Sequence, residues 1–227
     1  MGPSYLLIRE MDMKHNMIKS MLLVGALFGC LSVYAQDNPM GFFITSVGMG
    51  NGADLGGLDG ADAYCNKLAS AAGAGGRDWR AYLSTEEPDK RGVFARSRIG
   101  TGPWYNAKGV LIAENLTDLH LYNKTILLET ALNEKGEQVN GRGDKPNRHD
   151  MLTGTQDDGT AYFPDDNDHT CSNWTSSGDG SAQVGHHDRH GGGNTSWTSA
   201  HATRGGCSQK ALQSTGGDGL FYCFATD

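Results

Sequence analysis

Carboxylate side chains concentrate in the polar segment at 140–219, and their spacing suits the binding of a hard cation. Five aspartates fall within a short part of this segment, namely Asp157, Asp158, Asp165, Asp166 and Asp168. Carboxylates this close along the chain can converge on calcium, which prefers oxygen ligands. The sequence therefore offers a calcium site, and a solvated acidic loop is the alternative explanation of the same residues.

The same segment contains the sequence HHDRH, which supplies His186, His187 and His190. Imidazole nitrogens bind zinc and copper, so these histidines are candidate metal ligands, and His169 and His201 could complete such a site. Glycines on both sides of HHDRH favour an exposed loop tip instead. Calcium is therefore the first cofactor hypothesis and zinc the second.

Two tryptophans could bind a sugar by stacking on its ring. Trp174 lies three positions after Cys171, and Trp197 follows the HHDRH sequence. Together with Asp165, Asp166 and Asp168 they form the candidate ligand-binding set. A tryptophan beside a disulfide is more often a core residue, which is the alternative for both side chains.

Motifs of catalysis are absent from the chain. The sequence has no Gly-x-Ser-x-Gly elbow, no His-Glu-x-x-His helix and no phosphate-binding glycine loop with its lysine. We therefore predict that the protein is not an enzyme. A metal-dependent hydrolase that uses the histidines at 186–190 is the alternative.

An apolar run at 21–31, preceded by a lysine and followed by Val-Tyr-Ala, has the form of an export signal. The run is too short for a membrane span. We predict a leader and signal peptide over 1–35 and a single domain over 36–227, in a secreted, periplasmic or cell-surface protein. A lipoprotein attached through Cys30 is the alternative.

The charge of the predicted domain is acidic. Without residues 1–35 the chain keeps 16 basic and 24 acidic residues, a formal charge of −8. Such a surface repels phosphate backbones, and no basic stripe compensates for it. Nucleic acid is therefore not an expected partner.

Four cysteines remain in the predicted domain, Cys65, Cys171, Cys207 and Cys223. In an oxidising compartment they are expected to form disulfides, and a zinc site lacks the usual C-x-x-C spacing. Four cysteines allow three pairings, and spacing does not choose between them. A nested arrangement, with one bridge inside the other, is the economical one.

Sequence patterns predict the elements that must hold these residues. The predicted strands and hairpin lie at 42–47, 79–83, 104–112 and 220–224. A helix with Asp59 as its N-cap carries Cys65 on its apolar face, and a weaker helix is predicted at 86–97. The segment 140–219 is too polar to form a core of its own and needs the surrounding fold and a disulfide to hold it.

Several of these stretches carry a resemblance to a known fold. GGLDGADAYCNKLASAAGAGGRDWRAYLST, MLTGTQDDGTAY, CSNWTSSGDGSAQVG, SWTSA, GGC and LFYCF are similar to the endostatin-type branch of the C-type lectin fold, and to secreted bacterial lectin-like domains of unknown function. The similarity covers 42–227. It implies an α+β, C-type lectin-like fold with a long polar loop region, in which Cys65 pairs with Cys223 and Cys171 with Cys207.

The chain departs from this resemblance at the known ligand sites. The Glu-Pro-Asn or Gln-Pro-Asp triplet and the Trp-Asn-Asp triplet of calcium-dependent sugar binding do not occur. The N-terminal histidine cluster that binds zinc in endostatin has no counterpart at 36–42. We therefore expect a non-catalytic recognition module that binds glycans or extracellular proteins, with a structural envelope protein as a further alternative.

Overall fold

The computed structural model describes residues 38–191 and 193–227. The predicted signal peptide at 1–35 and the alternative lipidation site at Cys30 lie outside the described residues. Within the described part of the chain, no helix is long and apolar enough to cross a membrane.

The fold is a mixed α/β arrangement with short strands and few helices. The strands are β1 (Phe42–Ile44), β2 (Trp79–Ala81), β3 (Trp104–Tyr105), β4 (Leu111–Ala113), β5 (Asp150–Leu152), β6 (Gln183–His186), β7 (His201–Ala202) and β8 (Gly217–Ala225). The regular helices are α1 (Gly57–Ala71) and α2 (Gln209–Thr215), and single helical turns lie at Ala95–Ser97, Asp118–Tyr122 and Cys171–Trp174. The main sheet has the order β1-β8-β5-β6-β7, and β2 also pairs with β8.

The last strand, β8, lies at the centre of this sheet. It pairs antiparallel with β1 and β2 and parallel with β5. Its side chains alternate between two cores: Leu220, Tyr222 and Phe224 face one, whereas Phe221 and Cys223 face the other. A strand buried on both faces reads as a continuous apolar run, which is why its prediction from LFYCF is confirmed.

Helix α1 covers one face of β8. Its buried side chains are Ala61, Asp62, Cys65 and Ala69. The prediction that Asp59 caps this helix is wrong, because Gly56 holds the N-cap position with a left-handed φ of 72°. Asp59 lies in the first turn instead, where a negative charge favours the helix dipole.

The two disulfides are nested, as predicted. Cys65 of α1 is bonded to Cys223 of β8, across 158 positions. Cys171 is bonded to Cys207, across 36 positions. The four sulfur atoms are therefore used in covalent pairs, and the alternative of a cysteine zinc site is wrong.

The predictions between α1 and the polar segment have different outcomes. The hairpin is confirmed as β3 and β4, with Gly109 at φ 72° in the turn. The weaker helix at 86–97 is wrong, since its only helical part is a 3-10 turn at Ala95–Ser97. Pro88 and Gly92 interrupt the helical pattern there. Gly92 lies so close to the Thr85 carbonyl that a residue with a side chain would not fit at this position.

The polar segment 140–219 is more regular than its composition suggests. It contributes β5, β6, β7 and α2, and β5 pairs with the central strand β8. Its polar backbone groups are thus satisfied by the sheet. This pairing brings several buried polar side chains of the segment to the same edge of the sheet.

Candidate functional site

An acidic cleft of about 420 Å³ opens beside the polar segment. Its lining includes the carboxylates Glu86, Glu87, Asp165, Asp166 and Asp168, with Pro88, Tyr162, Phe163, Pro164, Asn167 and Asn173 between them. No lysine or arginine is among the described residues that line it. The structure therefore brings Asp165, Asp166 and Asp168 together, as the sequence suggested, and adds two glutamates from a distant part of the chain.

An exposed aromatic ring stands at the wall of the cleft. Phe163 is 65 % exposed. The Arg91 guanidinium lies 4.4 Å from its ring centroid and 4.6 Å from that of Phe94, and it donates two hydrogen bonds to the Ala161 carbonyl. Cation–π contacts of this kind orient an aromatic ring without burying it.

The backbone behind the cleft adopts a rare conformation. The four residues Cys171–Trp174 all have left-handed φ values, between 48° and 65°. A left-handed turn costs roughly 1–2 kcal/mol per non-glycine residue, so the surrounding structure must hold it in place. The Cys171–Cys207 disulfide anchors its start, and Trp174 Nε1 donates to the Ser84 carbonyl at 2.7 Å at its end.

Side-chain hydrogen bonds connect this turn to the cleft wall. Asn173 Oδ1 accepts from the Glu86 backbone N–H at 2.7 Å, and Asn173 Nδ2 donates to the Glu86 carbonyl at 3.1 Å. The Thr170 hydroxyl donates to Glu86 Oε2 at 2.9 Å. The left-handed turn and Thr170 therefore hold Glu86 in a fixed position at the cleft wall.

Three of the five candidate aspartates, Asp158, Asp165 and Asp168, are engaged in local loop structure. Asp168 accepts from the backbone N–H groups of Thr170 and Ser172, and Asp158 accepts from Thr160. The backbone N–H of Asn167 lowers the pKa of Asp165 by favouring its ionised form. No three of these carboxylates come within 4.8 Å of one another in the part of the chain that the structure describes. The calcium hypothesis stays a prediction, without a preformed set of ligands.

The tryptophans are not part of the cleft, and their prediction as sugar-stacking residues is wrong. Trp174 is fully buried in the core under α1, and Trp197 is 3 % exposed in the other core. The Trp197 ring centroid lies 5.0 Å from that of Tyr82 and 5.3 Å from that of Tyr222. Both rings are core residues; Trp174 has no exposed surface, and Trp197 only borders a separate cavity of about 290 Å³.

A second polar group lies at the edge of the main sheet, around Asp150. His149, Asp150 and His186 are at most 5 % exposed, and each offers a ligand atom within 4.8 Å of the others. Asp150 Oδ1 lies 3.1 Å from His149 Nε2, 3.3 Å from His186 Nε2 and 3.6 Å from His201 Nε2. The last two nitrogens are 3.0 Å apart.

Strand register explains this convergence. Asp150 stands directly opposite His186 in the β5–β6 pair, and His201 pairs with the residue two positions before His186. Residues opposite each other in an antiparallel pair lie on the same face. Asp150 pairs with Gly217 on its other side, where a Cβ would crowd the Asp150 carbonyl oxygen, and a Cβ at the neighbouring Gly216 would lie 3.1 Å from the carboxylate.

The outer nitrogens of two of these histidines are held by acceptors. His149 Nδ1 lies 3.4 Å from Asp188 Oδ1, and His201 Nδ1 lies 3.1 Å from the Ala202 carbonyl oxygen. Burial alone would raise the pKa of Asp188, but hydrogen bonds from the His149 imidazole and two backbone N–H groups hold it well below its usual value. Asp188 is therefore an ionised carboxylate that fixes the orientation of His149.

The HHDRH sequence is divided by the fold. His186 ends β6 and belongs to the Asp150 group, whereas His187 is buried against the Asn140 carbonyl and His190 is exposed. The prediction of an exposed loop tip is therefore wrong for 186–188, which are buried. His186, His187 and His190 do not form a joint site. His149 and Asp150 were missed because their partners are far away in the chain; the sequence RHDM that contains them was the available signal.

The buried His120 provides a pH-dependent contribution to stability. Tyr82 donates its hydroxyl proton to His120 Nε2 at 2.7 Å, and His120 Nδ1 donates to the Leu116 carbonyl. Burial lowers the pKa of His120 from 6.5 to about 4; the hydrogen bond to the Leu116 carbonyl and the charge of Asp158 oppose this shift, and Arg96 adds to it. The neutral imidazole is therefore the form that the fold requires.

We expect the free energy of unfolding to fall as the pH decreases from 6.5 to 4, because the unfolded state then binds a proton that the folded state excludes. The loss from His120 alone amounts to about 3 kcal/mol. Denaturant unfolding at a series of pH values measures it. His120→Gln is the control, since its stability should change less over the same interval; identical pH profiles for both proteins would contradict the assignment.

Comparison with models of known protein families gives no match, and neither does comparison with curated proteins. The function must therefore be inferred from the two groups of residues described above.

Proposed function

We propose that this protein is an exported, non-catalytic recognition module with a C-type lectin-like fold, and that the acidic cleft binds a basic segment of an extracellular protein. The observation that carries the proposal is the composition of the cleft, which is lined by five carboxylates and an exposed aromatic ring. Lysine and arginine side chains suit both parts of such a cleft, because they pair with carboxylates and stack on aromatic faces.

The fold supports the lectin-like part of the proposal. The outer disulfide joins the first helix to the last strand, and the inner one anchors the polar segment beside the cleft. This is the arrangement that the resemblance implies. A long polar segment held by a rigid base is a common way to present a binding surface.

The availability of charge in the cleft favours a cationic ligand. Glu87 and Asp166 are exposed, and they form no hydrogen bond or ion pair with the described residues. Glu86 and Asp168, in contrast, are already bonded to the left-handed turn and its neighbours. Glu87 and Asp166 are thus available to pair with a cationic ligand, whereas Glu86 and Asp168 are held in place and define the wall of the cleft.

Glycan binding is the second candidate function, and the open ring of Phe163 favours it. An exposed aromatic ring can stack on the apolar face of a sugar while carboxylates accept its hydroxyl protons. A glycan ligand would depend on Phe163 and little on salt, whereas a basic protein segment would depend on the carboxylates and weaken as the salt concentration rises. The two candidates are therefore separable by experiment.

The test combines a panel of extracellular proteins, a lysine- and arginine-rich peptide and a glycan array, each probed with the purified full chain. For hits that are proteins or the basic peptide, we expect Glu87→Gln with Asp166→Asn to weaken binding about fivefold, since two exposed ion pairs are worth roughly 1 kcal/mol in total. Glu129→Gln with Asp179→Asn is the matched control, because it removes the same charge outside the cleft.

Phe163→Ala provides the second comparison. It should abolish glycan binding if the sugar stacks on this ring, and it should weaken a basic peptide less than the loss of the carboxylates does. Absence of any hit, or hits that bind the cleft variants as tightly as the parent chain, would contradict the proposal.

A further inference from the structure

We propose that Asp150, His186 and His201 bind a divalent transition-metal ion, with zinc as the expected ion, at the sheet edge formed by β5, β6 and β7, beside His149. This site is separate from the acidic cleft, and it does not depend on the function proposed for that cleft. We name the four residues the Asp150 cluster.

The first argument is the state of the Asp150 carboxylate. Asp150 is 3 % exposed, and neither of its oxygens has a hydrogen-bond partner among the described residues. Three imidazole nitrogens lie within 3.6 Å of Oδ1, but none of them makes a hydrogen bond to it. A buried carboxylate without hydrogen-bond partners is strongly unfavourable, so Asp150 needs a positive charge beside it.

The second argument follows from the positions of the imidazole protons. The partners of His149 Nδ1 and His201 Nδ1 are a carboxylate and a carbonyl oxygen, which can only accept, so both Nδ1 atoms carry the proton. The neutral forms of His149 and His201 then direct Nε2 lone pairs into the cluster. Two lone pairs and a carboxylate oxygen therefore face one another.

Neutral His186 has a single proton, which cannot form hydrogen bonds with both the facing lone pairs and the Asp150 carboxylate. If its Nε2 carries the proton, the nearest acceptor is His201 Nε2 at 3.0 Å, and Asp150 still lacks a donor. A cation placed between Oδ1 and the Nε2 atoms of His186 and His201 would satisfy these three groups together. The cation is either a metal ion or an additional proton, and zinc binding distinguishes these two.

The distances fit three ligands of a tetrahedral metal site. Zinc bonds to histidine nitrogen and carboxylate oxygen at roughly 2.0–2.1 Å, which places neighbouring ligand atoms about 3.3 Å apart in a tetrahedron. The three separations among Asp150 Oδ1, His186 Nε2 and His201 Nε2 are 3.0, 3.3 and 3.6 Å. The His149 ring is instead stacked on His186, with centroids 4.2 Å apart, so its lone pair does not point to the same ion. Two nitrogens and one oxygen are also a donor set that suits zinc better than calcium or magnesium.

The surroundings of the cluster have two further features of metal sites. A ligating histidine usually donates its second N–H to a carboxylate or a backbone carbonyl, and His201 does so. The His201 side chain is 34 % exposed, whereas the other three are buried, so an ion can enter from the His201 side. Because the ligands come from three strands or their ends, the ion would stabilise this edge of the sheet.

The test is zinc binding by the purified full chain after treatment with a chelator. We expect one equivalent of zinc in equilibrium dialysis with metal analysis, and a higher Tm in its presence. His201→Ala should weaken zinc binding at least tenfold, and Asp150→Asn should abolish stoichiometric binding. His190→Ala is the matched control, since this exposed histidine lies near the cluster but outside it, and it should bind zinc like the parent chain.

Cobalt(II) provides an independent measurement of the coordination. A four-coordinate site of nitrogen and oxygen ligands should give intense visible absorption, which His201→Ala should reduce and His190→Ala should preserve. If Asp150→Asn does not fold, His201→Ala decides the question, because its side chain is partly exposed. Less than one equivalent of zinc, or equal affinity in His201→Ala and His190→Ala, would overturn the proposal and leave a shared proton as the cation.

Discussion

Replacing Cys65 and Cys223 together with alanine is expected to lower the free energy of unfolding by about 5 kcal/mol, because their bond closes the longer of the two disulfide loops. The two residues are 158 positions apart, and both are fully buried between α1 and β8. Without the bond, the unfolded chain gains the entropy of that loop. A loss of this size is comparable to the entire stability of a typical domain.

Guanidinium unfolding of the parent and the double variant measures this effect. The matched control is the replacement of Cys171 and Cys207, which are 36 positions apart and should contribute about 4 kcal/mol by the same argument. A double variant that is unfolded without denaturant would agree with the expectation. A loss below about 2 kcal/mol, or a larger effect of the inner bridge, would contradict it.

Asp62→Ala is expected to cost about 3–5 kcal/mol, because it leaves a buried positive charge without its partner. Asp62 lies on the buried face of α1, and its Oδ2 accepts from Arg98 Nη2 and from Arg80 Nη1, each at 2.6 Å. Its Oδ1 accepts from the Ala81 backbone N–H at 2.9 Å. The carboxylate thus connects α1 with β2, and it raises the pKa of Arg80.

The two arginines provide a comparison within the same network. The Arg98 side chain is 10 % exposed and the Arg80 side chain is 48 % exposed. Arg80→Ala should therefore cost less than about 1 kcal/mol, as exposed ion pairs do. Denaturant unfolding of both variants checks the difference, and equal losses would show that Asp62 does not act through the buried Arg98.

Elements with a strong local pattern were predictable from the sequence. The run LFYCF predicted β8, the apolar spacing around Cys65 predicted α1, and Gly109 marked the turn of the β3–β4 hairpin. These patterns are reliable because each element buries a face of fixed periodicity. The prediction of a weaker helix at 86–97 was wrong because Pro88 and Gly92 remove the local preference for a helix.

The acidic cleft was predictable in part. The aspartates at 165–168 were candidates because of their chemical type and close spacing, and they do line the cleft. Glu86, Glu87 and Phe163 were not identified, since two of them reach the cleft from a distant part of the chain. Trp174 and Trp197 were misassigned because a ring that stacks on a ligand and a ring that fills a core have the same sequence signal.

The histidines show where local sequence stops being informative. Composition and residue order established that the chain contains cysteines that can be bridged, buried strands, one amphipathic helix and a histidine-rich polar segment. The choice of which histidines meet depended on the long-range fold, because Asp150, His186 and His201 belong to different strands and their side chains share a face only through sheet register. A shift of one residue would turn each side chain to the opposite face, so no local pattern could specify the Asp150 cluster.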